Sequence, residues 1–298
     1  MIFSDGIRIR ASNALTTVIA LLVLCGCSTS TSHTYDPAQE VEYRYGSVGP
    51  YTVARIKVPA TFDQPGGAAY FPENHFGPAP LVIWQNGTGE PIGTYDAIAH
   101  HLASWGIAVL GSHDRQMGSG VRAIEMLENA HLWSATQDHP FFERISPNIF
   151  ALVGSSQGAV STINAHTRFA VGRNATALAI HGTPTKRAID FFGLNLNYDA
   201  RAITVPVLVM TGTEDEFISP IRLNQAIFDG LTGPGLRVLA VADGADHIEL
   251  ADDAGRFRGY LTSWLAFHLL EDVRAAQAFI GRAEIMSNSG WEQSQVTQ

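Results

Sequence analysis

The chain has 298 residues, 46% of them apolar and 16% charged, and a formal charge of −9. A chain this long and this apolar buries a large core, which excludes global disorder. Its acidic balance excludes a basic nucleic-acid footprint. Its two cysteines, Cys25 and Cys27, sit together near the start, so the body has neither a disulfide framework nor a Cys-His zinc cluster.

In chain order, Arg8 and Arg10 come first, followed by a mostly apolar stretch from Ala14 to Cys25. A basic segment followed by a short apolar run is the pattern of a secretory signal. The run is shorter than the roughly 20 residues a membrane-spanning helix needs. Leu24-Cys25-Gly26-Cys27 resembles the bacterial lipobox, in which the last cysteine is lipidated and becomes the first mature residue. Gly26 supplies the small residue that pattern wants, and Ser28 goes with outer-membrane sorting. The resemblance implies a signal peptide over 1–26, lipidation at Cys27 and an envelope-anchored protein. The alternative is an ordinary signal peptide cut near Gly26. Residues 27–39, rich in Ser and Thr, read as a polar tether.

A βα alternation follows. Residues 40–45 and 51–58 read as the strands of an opening hairpin, and the Gly- and Pro-rich stretch 63–80 as a loop. Residues 81–85, 107–111, 149–153, 177–180, 205–210 and 236–242 read as short buried strands. Residues 95–105, 121–133, 159–170, 220–231, 252–270 and 271–283 read as helices. From Ser287 the chain is polar and reads as a loose end. Short apolar strands without alternation, spaced by helices, imply a mostly parallel sheet covered on both faces. The expected organisation is one α/β domain over 40–284 and a tail over 285–298.

Gly154-Ser155-Ser156-Gln157-Gly158 lies between an apolar strand and a helix. That is the setting of a G-x-S-x-G elbow, a sharp turn that exposes the middle serine. The register selects Ser156; a plain Gly/Ser loop is the alternative. A serine hydroxyl is a weak nucleophile until a base takes its proton. The elbow's partners come in the order Ser, acid, His. His166, His181, His247 and His268 follow Ser156. His247, just after the last strand, can reach back over the sheet edge and is the candidate base. His181, at a strand end, is the alternative. Glu214, Asp215 and Glu216 are adjacent carboxylates, and the Gly-x-x-Asp turn at a strand end selects Asp215. The backbone amides of Gln157 and of Thr88, in the loop Trp84-Gln85-Asn86-Gly87-Thr88-Gly89-Glu90, are candidate oxyanion donors. A plain glycine turn is the alternative there. No metal or cofactor is implied.

With these motifs in order, the chain resembles the α/β-hydrolase superfamily from about residue 40 to 270. Pro80-Leu81-Val82-Ile83-Trp84-Gln85-Asn86-Gly87-Thr88-Gly89 leans toward the dienelactone-hydrolase, chlorophyllase and cutinase-like esterases. So do Tyr95, the run His101-Leu102-Ala103-Ser104-Trp105-Gly106-Ile107-Ala108-Val109, and Met117-Gly118-Ser119-Gly120. The resemblance implies a mostly parallel sheet of eight strands with helices on both faces. It also implies a serine esterase acting on small or medium carboxylic esters through an acyl-enzyme. Thioester, lactone or amide cleavage and acyl transfer are alternatives on the same triad; a non-catalytic lipid-anchored binding protein is a further one. Some positions depart from the family. Asn86 stands where relatives usually have His, so it is expected to support the loop without reaching substrate. Thr88 and Gln157 replace the aromatic and Met of polyester-degrading relatives. No cysteine pair closes the carboxyl-terminal region. The stretch 182–204 is too short for a large lid, though Phe191 and Phe192 there can form an apolar wall. Glu90, unusual beside the oxyanion loop, is placed to pair with Arg115 or to disfavour anionic substrates.

Overall fold

The computed structural model describes residues 33–61, 64–251 and 253–297. Cys25 and Cys27 lie outside them. The chain divides into two units, Met1–Thr34 and Tyr35–Gln298, and every element below belongs to the second. In chain order it carries α1 (Glu40–Gly46), β1 (Val53–Val58), β2 (Gly67–Pro72), β3 (Ala79–Gln85) and α2 (Asp96–Ser104). Next come β4 (Ala108–Ser112), α3 (Val121–Ala135), β5 (Ile145–Ser155), α4 (Gln157–Arg168), β6 (Ala177–His181) and α5 (Lys186–Phe191). The last are β7 (Val207–Gly212), α6 (Ile221–Gly230), β8 (Arg237–Ala242), α7 (Arg258–Leu270) and β9 (Gln295–Thr297).

The strands form one nine-stranded sheet in the order β1-β2-β4-β3-β5-β6-β7-β8-β9. From β4 to β8 every pairing is parallel; β1–β2, β2–β4 and β8–β9 are antiparallel. Because side chains alternate across a strand, each central strand feeds two cores. Val82 and Trp84 of β3 join one core with Ala151 and Val153 of β5, roofed by α1, α2 and α7. Leu81 and Ile83 join the other with Phe150 and Leu152, covered by α3, α4 and α6. This is the two-faced burial that the unbroken apolar strands implied. The order also reverses at β3, whose neighbours are β4 and β5. In open parallel sheets such a reversal leaves a crevice at the carboxyl ends of the strands, where ligands bind.

The strand count is nine, where eight were expected, and the difference lies at the edges. Residues 40–45 form helix α1, not a strand. Val41 and Tyr45, four residues apart, are buried together, while Tyr43 between them is 46% exposed. The helix start is held from far along the chain: Val41 and Glu42 N–H groups donate to the Glu284 carboxylate. An acidic group there satisfies the free amides of the first turn. β2 lies inside the stretch read as a loop. All six of its residues are buried, and it pairs with β1 on one side and β4 on the other.

The carboxyl-terminal stretch expected to be loose is packed instead. β9 pairs with β8, and Trp291 is 5% exposed against Tyr260 and Phe257. Its indole N–H donates to buried Glu42 at 2.7 Å. The expected helix over 271–283 reduces to one short turn, Ala275–Ala278, after Glu271 ends α7 in a left-handed conformation. The expected tether also ends earlier than 39: Tyr35 is buried, and its hydroxyl donates to the Gly255 carbonyl at 2.6 Å. No helix among the described residues is long and apolar enough to cross a membrane.

Candidate active site

The site gathers at the carboxyl ends of the parallel strands, beside the reversal at β3. β3 and β5 run side by side with Gln85 opposite Gly154, so the loops leaving them emerge together. At the end of β5 the chain turns straight into α4. Ser156 sits at the corner with φ 55° and ψ −118°, a conformation strained for a residue with a side chain. The glycines around it are there for space. A Cβ on Gly154 would lie 2.1 Å from the Gly158 carbonyl oxygen, and one on Gly158 would lie 2.0 Å from that of Gln85. The turn closes only with hydrogen at both positions.

The structure brings Ser156, His247 and Asp215 together. His247 Nε2 stands 3.0 Å from Ser156 Oγ, and its Nδ1 stands 2.6 Å from Asp215 Oδ2. Asp215 leaves β7 in a tight turn and His247 leaves β8. These turns are tied together, since Glu214 N–H donates to the Ala245 carbonyl at 3.0 Å. Burial alone would raise the Asp215 carboxyl, but the His247 hydrogen bond and charge, with the Ser219 N–H, hold it below its ordinary value. Asp215 thus stays ionised and fixes which imidazole nitrogen faces the serine. Glu214 and Glu216 make no such contact with His247.

Thr88 and Gln157 also meet here. Gln157 Nε2 reaches Thr88 Oγ1 at 3.3 Å and Gln116 Oε1 at 3.2 Å. As the first residue of α4, Gln157 has a backbone amide with no acceptor inside the helix. The Gly87 amide goes to Tyr95 and the Gly89 amide to the Arg115 carbonyl, while the Thr88 amide between them has no acceptor among the described residues. Asn86 is fully buried, and its Nδ2 donates to the Ser112 and Asp114 carbonyls. It supports the loop from behind, as expected.

Two expectations need correcting. Glu90 does not pair with Arg115, because Arg115 donates to the Gly89 carbonyl and the Tyr95 hydroxyl donates to Glu90. Short range decides this: Tyr95 ends the turn that begins two residues after Glu90. His181, the alternative base, does not touch Ser156 Oγ. Its ring is fully buried behind the site, with Nδ1 at 3.1 Å from Ser155 Oγ. Burial, then repulsion from His247, pushes it down to about 3, which keeps it neutral. Sequence reasoning gave no role to Tyr95, whose hydroxyl sits under the oxyanion loop. The Glu90–Tyr95 spacing just after a glycine loop was the one available signal.

Two residues beyond Asp215, Phe217 carries the Arg187 guanidinium 5.6 Å over its ring. Phe191 and Phe217, 59% and 46% exposed, meet edge to face at 5.7 Å. The segment carrying Phe191 is tied to the Asp215 loop through Thr185 N–H and the Ile218 carbonyl. Farther along, Leu196 and the Gln157 side chain both pack against Gly118. Among the described residues no group of His, Cys, Asp and Glu could hold a metal ion. Neither of two surface hollows, one beside His75 and Arg144 and one beside Tyr198 and Leu223, includes a triad residue. No family model matches the chain, and no curated protein matches it.

Proposed function

We propose that the protein is a serine hydrolase of the α/β-hydrolase type that cleaves carboxylic esters. The reading rests on one observation above others. A Ser156–His247–Asp215 hydrogen-bond chain, 3.0 Å and 2.6 Å long in its two links, ends on a serine at a strained strand-to-helix corner. Each part fits a step. His247 Nε2 takes the Ser156 proton as Oγ attacks the ester carbonyl. Asp215 steadies the imidazolium that results. The Gln157 and Thr88 amides face the oxyanion, and each such donor contributes roughly 3–4 kcal/mol to the transition state. His247 then protonates the leaving alcohol, and the same imidazole activates the water that clears the acyl group from Ser156. The exposed Phe191–Phe217 pair on the Asp215 side suits esters with an alkyl or aryl part of small to medium size.

The test is hydrolysis of p-nitrophenyl acetate and butyrate by residues 28–298 and by its Ser156→Ala variant. Loss of turnover on the order of 10⁶-fold is expected from removing a triad serine. Equal rates for the two proteins would sink the assignment. We also propose that the protein is anchored to the cell envelope through lipid on Cys27, as the Leu24-Cys25-Gly26-Cys27 sequence suggests. Several acyl chains on one residue anchor stably where a single one does not. Cys27→Ala should then release the full chain from membranes, and continued retention would refute lipidation there.

A further inference from the structure

Four polar side chains beside the triad take no part in the steps above: Glu90, Tyr95, Ser155 and His181. They form two pairs. The Tyr95 hydroxyl donates to the Glu90 carboxylate and accepts from the Gly87 backbone N–H at 3.0 Å. Ser155 Oγ lies 3.1 Å from His181 Nδ1.

A backbone N–H can only donate, so the phenol oxygen takes the Gly87 hydrogen and the hydroxyl proton goes to Glu90 from Tyr95. Its ring is fixed as well, 1% exposed and 5.1 Å from the Trp84 ring.

Gly87 immediately precedes Thr88 on the loop leaving β3, and Glu90 lies two residues beyond it. We propose that Tyr95 is a positioning residue whose hydroxyl holds this loop at Gly87 and Glu90 and so sets the spacing between Thr88 N–H and Ser156 Oγ. The assignment rests on the serine-hydrolase reading. It accounts for a Tyr and a Glu placed under the loop, where simple core packing needs neither hydroxyl nor carboxyl. A displacement of about 1 Å in a reacting geometry costs on the order of 100-fold in rate, because the oxyanion donors act only over hydrogen-bond range.

The test compares residues 28–298 with Tyr95→Phe and Ser156→Ala. It uses p-nitrophenyl butyrate turnover, titration of active sites with a fluorophosphonate, and thermal unfolding. Tyr95→Phe keeps the ring and loses only the hydroxyl. The expected result is kcat per titrated site lowered by about 10- to 100-fold with KM within about threefold, because the loop's contribution falls on the transition state. A Tyr95→Phe protein with parental kcat per titrated site, beside an inactive Ser156→Ala, overturns the role of Tyr95 alone. So does a loss fully explained by fewer titratable sites, which would make the hydroxyl a matter of folding. Turnover retained in Ser156→Ala overturns the hydrolase reading and this inference together.

Discussion

Two walls of the site each hold a carboxylate, Asp215 in contact with His247 and Glu90 reached only by its charge, and the fold treats them in opposite ways. On the β7–β8 side, Asp215 is buried but receives the His247 bond and the Ser219 N–H, and it is held below its ordinary value. On the β3 side, Glu90 is raised: burial outweighs the Tyr95 bond, the His247 charge and the Gly87 amide. The same chemical group is thus a fixed anion on one wall and a reluctant one on the other. Direct contact with the imidazole, 2.6 Å from Asp215, separates the two roles, since Glu90 receives only neutral donors. Removing each carboxylate should accordingly have very different consequences.

The largest effect is expected on the Asp215 wall. Asp215→Asn keeps the shape but lets the imidazole settle in the wrong tautomer, and a loss on the order of 10⁴-fold in kcat follows. Steady-state turnover of p-nitrophenyl butyrate measures it. A loss below tenfold would mean that Asp215 does not orient His247, and the contrast between the walls would collapse.

The next effect is on stability in acid and comes from the buried histidines. His181 is pushed down to about 3, and His101 and His268 to about 4, in each case chiefly by burial. Unfolded, these rings would take up protons near pH 6.5. Between those limits the unfolded chain binds more protons than the folded one, so stability falls as pH drops. Each histidine contributes a slope of up to about 1.4 kcal/mol per pH unit in that window. Asp215 adds to the same trend only lower, as pH falls through the carboxylate range. Urea unfolding at pH 7 and pH 5 should show the loss, and His268→Gln should flatten it. A midpoint indifferent to pH over that range would contradict the buried neutral rings.

How much of this was readable beforehand divides along the same lines. The central strands, the elbow at Ser156 and the turns carrying Asp215 and His247 announce themselves locally, because each is a short apolar run followed by its own turn chemistry. The brace under the loop leaving β3 does not. Glu90 and Tyr95 are close in sequence, but what their bond holds in place shows only once the β3–β5 pairing sets that loop beside Ser156. The sheet edges fail for a related reason. The sequence Glu40-Val41-Glu42-Tyr43-Arg44-Tyr45 alternates like a strand, yet it is a helix because Glu284, 243 residues beyond Val41, accepts from its first turn. Trp291 was likewise unreadable without Glu42 and Tyr260 to receive it.

A smaller loss is expected where the His247 loop meets the end of β6. Gly182 has φ +60°, and a Cβ there would stand 2.9 Å from His247 Cε1. Gly182→Ala should push the imidazole off the serine and lower kcat by about 100-fold, the scale of a 1 Å misplacement. Reactivity toward a fluorophosphonate should drop in parallel. Parental reactivity would show that the ring has room to yield.

The smallest effect should fall on the Glu90 wall, and its sign is what tests the comparison. Glu90→Gln keeps an acceptor for the Tyr95 hydroxyl, so the loop stays tied and kcat at its plateau should change by less than about fivefold. The charge is what disappears. Burial makes that charge costly, so Glu90→Gln should unfold at a urea midpoint no lower than the parent's at neutral pH, where Asp215→Asn should fall below it. A Glu90→Gln midpoint below the parent's would mean that the second carboxylate is held as firmly as the first, and the contrast between the walls would fail.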